Sequence, residues 1–116
     1  MPRLLAQANR QGIVVSQTLA IPVGLDTALV EGVMSLADAQ DPLNEIRLDV
    51  QVSPDGAAWQ IMHRHLWKGH ATAGRVLSFG CGPFAPFSGW QARLELEIAR
   101  TMQIGADVTL NPAPRA

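Results

Sequence analysis

Ile46-Arg47-Leu48-Asp49-Val50-Gln51-Val52 alternates apolar and polar residues without a break. Successive side chains of a strand point to opposite faces, so this stretch buries Ile46, Leu48, Val50 and Val52 and wets the residues between them. It predicts a β-strand. Just beyond it, Ser53-Pro54-Asp55-Gly56-Ala57-Ala58 is built for a tight turn: Pro54 presets its φ, and Asp55-Gly56 accepts left-handed conformations. The residues that follow, Trp59-Gln60-Ile61-Met62-His63-Arg64-His65-Leu66-Trp67, then form the returning strand of a hairpin.

The same alternation recurs in Arg93-Leu94-Glu95-Leu96-Glu97-Ile98 and in Ile104-Gly105-Ala106-Asp107-Val108-Thr109-Leu110, which predicts two more strands. Residues 13–21 are rich in β-branched side chains until Pro22 stops them. Residues 28–36 fit either period, with Asp26 as an N-cap for a helix. Gly32 in their middle costs a helix about 1 kcal/mol relative to Ala, and the run is short, so a strand is expected. Asp38-Ala39-Gln40-Asp41-Pro42 is a turn-rich connection. The spacing of turns predicts one all-β, antiparallel, jelly-roll-like β-sandwich over residues 13–110, with at least six strands and no helix beyond about two turns. Extended arms are expected at residues 1–12 and at 111–116, where two prolines oppose ladder pairing.

A chain of 116 residues suits a single domain with its own core. No apolar run nears the roughly 18 residues of a helical span, and the N-terminal apolar stretch is too short for a secretory signal, so no membrane association or export is expected. Nine basic against ten acidic residues give a net charge of −1. That offers a nucleic acid no electrostatic footprint. The lone Cys81 has no partner for an internal disulfide, so packing must hold the fold.

The hairpin Ser53-Pro54-Asp55-Gly56-Ala57-Ala58-Trp59 resembles the Asp-box turn, Ser-x-Asp-x-Gly-x-Thr-Trp, although it is one residue shorter and lacks the Thr. The likeness covers seven residues. In that family the motif is structural: the Asp holds the turn and the Trp packs beneath it. Related hairpins, with an alternating strand before and an aromatic-rich one after, are similar to those of small β-sandwich modules in tailed-phage virions. That resemblance implies a structural role in a particle.

His63 and His65 are two apart on a predicted strand and so share a face at a spacing from which two imidazoles can hold one metal. With His70 folded back they would complete a trio. The pair resembles the His-x-His of cupins, but Gly69 or His70 stands where the carboxylate belongs, and no histidine follows for the second motif. Half-exposed strand positions without metal are therefore expected. Glu95 and Glu97 share a face with Arg93, which suggests a solvated charge ladder rather than an acid and base pair. No nucleophile elbow or phosphate loop occurs.

Phe79, Phe84, Phe87 and Trp90 fall within twelve residues of a loop stiffened by Pro83 and Pro86. Rigid aromatic anchors lose little entropy on binding. Phe84 and Phe87, with Pro83 and Pro86, are thus the expected docking residues. Leu4 and Leu5 join them, because the arms carry too little apolar surface to order themselves.

These readings lead to a non-enzymatic structural protein of a phage particle without cofactor, assembled in the host cytoplasm. It would decorate or cement the head by binding the capsid surface and neighbouring copies of itself. The alternatives are a carbohydrate-binding β-sandwich module and a cupin-like metal-binding protein.

Overall fold

Residues 91–112 form one strand of 22 residues, and almost everything else is arranged around it. The structure is a computed structural model describing residues 3–34, 45–68 and 77–112. The strands are β1 (Arg3–Val15), β2 (Leu19–Ala20), β3 (Leu25–Met34), β4 (Glu45–Ser53), β5 (Gln60–Lys68), β6 (Leu77–Cys81) and β7 (Gln91–Pro112). The one helical element among the described residues is a 3-10 turn, Ala85–Phe87. All pairings are antiparallel, in the order β5-β4-β7-β3-β6, with β1 and β2 also on β7. The fold is all-β.

The two strands expected at 93–98 and 104–110 are therefore one. Nothing between Ile98 and Ile104 can turn a chain, since Ala99-Arg100-Thr101-Met102-Gln103 contains no Gly, Pro, Asn or Asp. At about 3.3 Å per residue a straight strand of this length would reach about 70 Å. The molecule's longest dimension is 43 Å, so β7 must bend. The bend falls where β1 pairs Arg10 with Met102 but Gly12 with Ile98, which leaves two extra residues on β7. Such bulges kink a strand and increase its twist. Gly12 supplies the matching left-handed backbone, φ 78°.

Below the bend β7 pairs with β4, and above it with β3, while β1 follows it through both halves. The sheet thus folds over a single core. Even-numbered positions carry the packing on both sides of the bend: Leu94, Leu96 and Ile98, then Met102, Ile104, Ala106 and Val108. Leu48 and Val50, expected inside, are buried too. At the far ends of the order, β5 and β6 approach each other through the rings of His63, His65 and Phe79, so the sheet is nearly closed.

The expected arm at residues 1–12 is corrected. Arg3 to Gly12 lie in β1, laddered to β7, and β1 curls until the Gln17 amide donates to the Leu4 carbonyl at 3.0 Å. Leu4 and Leu5 are buried in the core at 6% exposure each, and they supply the apolar anchor that this segment was not expected to have. The strand expected over 13–21 accordingly ends at Val15, and Leu19–Ala20 pairs separately with β7. Of the C-terminal arm, Asn111 and Pro112 close β7. The rest of it, the connection at 38–42 and His70 lie outside the described residues.

Residues 25–34 are a strand rather than a helix, and Gly32 pairs there with Ala106 on one side and Leu77 on the other. Gly105 permits a close approach, because a Cβ there would lie 2.7 Å from the Leu5 carbonyl oxygen and 2.8 Å from the Gln7 nitrogen.

Candidate functional site

The loop after β6 is lashed to the turn before β3 by backbone hydrogen bonds. The Phe84 amide donates to Asp26 O (2.9 Å), Gly89 N–H to Ile21 O (2.9 Å), and Ile21 N–H to Trp90 O (2.8 Å). Phe84 points inward and is buried at 3%, against the expectation that it anchors a partner. Its neighbours behave differently. Pro83, Ala85 and Pro86 are exposed, and Phe87 is half-buried, edge-on to Trp90 with ring centroids 5.2 Å apart. On the joined turn Pro22 is exposed and Val23 is 87% exposed, the most open large apolar side chain described. Two mutually braced turns therefore carry exposed apolar side chains, Val23 on one and Pro83 and Pro86 on the other, with prolines fixing the backbone. Val23 escaped the sequence reading, where Pro22 served only as a strand stop.

His63 and His65 do share a face, but it is the inner one, because they pair with Val50 and Leu48. Their rings stack on Phe79, with centroids at 5.1 Å and 4.6 Å, and lie 6.2 Å from each other. Burial and the adjacent His63 lower the pKa of His65 below its ordinary value. Among the described residues no three His, Cys, Asp or Glu side chains assemble as metal ligands. Beside His63 an open cleft of about 690 Å³ runs between Thr27, Gly80, Pro83 and Asn111. Cys81 is buried, and burial pushes its thiol up to about 11, far from a thiolate at neutral pH.

The outer face of β1, β7, β4 and β5 carries a charge network. Asp49, fully buried, accepts from Arg64 Nε at 2.7 Å and Nη2 at 3.0 Å. Arg47 Nε stands 3.4 Å from the same carboxylate, and Arg47 Nη2 donates to Glu95 at 3.1 Å. Gln51 links Glu95 (3.3 Å) to Arg93 (2.7 Å), whose guanidinium lies 4.2 Å over the Trp59 ring. The charge ladder expected at Glu95 and Glu97 exists, yet Arg47 rather than Arg93 is its cation. Alternation alone placed Asp49 in water. The signal that could have found its partner was the hairpin register that sets Arg64 opposite it.

The hairpin turn is held by the side chains of Ser53 and Asp55. The Ser53 hydroxyl donates to Asp55 Oδ1 (3.0 Å), which accepts from the amides of Ala57 (2.9 Å) and Ala58 (3.1 Å). These donors hold the Asp55 carboxyl below its usual range. Comparison with family models, with curated proteins and with solved structures returns no match for this chain.

Proposed function

We propose that this chain is a non-enzymatic structural protein that docks on another protein through the apolar end formed by Val23, Phe87, Pro83 and Pro86, and that it decorates the head of a phage particle. The observation that carries docking is Val23, 87% exposed on a turn whose Ile21 is hydrogen-bonded to Gly89 and Trp90. Apolar side chains kept in water on a rigid backbone are costly alone and favourable against a protein pocket. The likeness of the Ser53 to Trp59 hairpin to virion modules supplies the particle. A sugar platform has less support, since Arg93 lies over the Trp59 ring and Phe87 meets Trp90 edge-on.

Purified chain added to phage heads that lack it should bind saturably, at a copy number fixed by the head lattice. Val23→Asp with Phe87→Ala should weaken that binding at least thirtyfold, as loss of anchors worth about 2 kcal/mol or more does. Equal binding by the variant refutes the docking surface. Heads that take up no chain refute the role.

A further inference from the structure

The outer face of β1, β7, β4 and β5 carries a row of side chains that is complementary to its own reverse. Across the four strands, one row of directly paired residues runs Ile13, Glu97, Arg47, Leu66. Its order is apolar, acid, base, apolar. The side chains point outward: Ile13 is 63% exposed, Leu66 51%, and the Glu97 side chain 53%. The next row, Val15, Glu95, Asp49, Arg64, has its acid Asp49 sealed under Arg64, and Val15 is 44% exposed. Arg93 and Gln51 begin the third row, which ends on Ile61, 50% exposed. Ile13 and Val15 thus line the β1 margin, Leu66 and Ile61 stand on either side of Arg64 at the β5 margin, and the face holds three arginines (47, 64 and 93) against three carboxylates (49, 95 and 97).

From this pattern we infer that the face binds a second copy of the chain, turned about a two-fold axis parallel to the strands. That rotation exchanges the β1 margin of one copy with the β5 margin of the other, so each row meets its own reverse. Ile13 then meets the second copy's Leu66, and Glu97 meets its Arg47. Each contact occurs twice, as an isologous interface requires. A hollow of about 190 Å³ between Glu45, Arg47, Leu66, Glu97 and Ala99 borders Leu66, the residue that the second copy's Ile13 meets. A charged partner of one sign would meet repulsion from half of this face, whereas a second copy sets Arg47 against Glu97 and, in the next row, brings Glu95 to the Arg64 guanidinium that covers Asp49.

With strands about 4.8 Å apart and residues about 3.3 Å apart, the face measures about 20 Å by 20 Å, or about 400 Å² per copy. That is about half of a standard interface, so the contact is weak and reversible, of the kind that neighbouring copies on a surface make at high local concentration. The inference stands independently of the apolar end and of any particle.

Sedimentation equilibrium from about 10 μM to 1 mM tests it. Wild type should shift from monomer to dimer within this range. Ile13→Asp and Leu66→Lys, both at exposed positions, should each stay monomeric, because each spoils both copies of the Ile13 to Leu66 contact. An equimolar mixture should dimerise again, since one contact becomes an ion pair and the other returns to wild type. Glu97→Lys is a second probe that leaves the apolar margins intact and should also be monomeric. Near-ultraviolet circular dichroism identifies folded variants. Wild type monomeric at 1 mM, folded variants that dimerise like wild type, or a mixture that stays monomeric would each overturn the inference.

Discussion

Replacing Phe84 by Ala separates core from contact surface more sharply than any other change. Phe84 is 3% exposed and lines, with Leu4, Ile21, Leu25, Val50 and Val108, an interior cavity of about 20 Å³. Neighbours already packed around so little space cannot collapse far into the gap that an alanine leaves. The loss should reach the range for a buried phenylalanine, about 3–5 kcal/mol, rather than the transfer term alone of about 1.5–3 kcal/mol. For a chain of this size that is a fall in melting temperature of roughly 10–20 °C, and a large share of the 5–15 kcal/mol by which such domains are stable. Phe87→Ala, at a half-buried position, should cost about 1–2 kcal/mol by losing part of its burial and its edge contact with Trp90. Urea unfolding of both variants with a shared m-value measures the two numbers. A Phe84→Ala loss below about 1 kcal/mol, or a Phe87→Ala loss that exceeds it, would refute this assignment of inside and outside.

Three further outcomes follow from the geometry. Gly105→Ala should destabilise by about 1–3 kcal/mol in thermal melts, because the backbone of Leu5 and Gln7 stands where the methyl would go; an unchanged midpoint contradicts that approach. His65 holds a proton less readily folded than unfolded, so stability is full above the unfolded pKa of about 6.5 and declines as pH falls through it, levelling off below the folded pKa. His65→Phe keeps a ring in the stack, so its melting midpoint should fall less than that of wild type between pH 7 and pH 5, and parallel curves count against the assignment. Cys81, buried with its thiol near 11, should react with an aromatic disulfide reagent at pH 7.5 only as fast as the protein opens, and at once in denaturant.

Strand identity was legible wherever apolar and polar side chains alternate strictly, as in β4 and both halves of β7. Period-two alternation is a local signal, and it survives folding unchanged. What it cannot carry is which strand lies beside which. Asp49 reads as a wetted position, and only the neighbouring β5 covers it with Arg64. Leu4 and Leu5 read as a loose end for the same reason, since the strand that buries them lies about a hundred residues away. Phe84 and Phe87 are alike in sequence, each beside a proline, and a single backbone hydrogen bond to Asp26 goes with the inward one. The join of the two halves of β7 was open to view in the missing turn residues at 99–103.

The position of β7 in chain order governs how the molecule can be made. β1, β2, β3 and β4 all hydrogen-bond to it, yet it follows every one of them in the sequence. While a ribosome is still extending the chain, the hairpin of β4 and β5 and the pair of β3 and β6 can form, but they have no common strand to join. β1 waits longest with its ladder unfilled. Such late, non-local closure belongs to slowly folding topologies and leaves open strand edges during the wait. The same order makes the chain separable: a fragment ending before Gln91 should remain unfolded alone and fold when a peptide of residues 91–112 is supplied in trans.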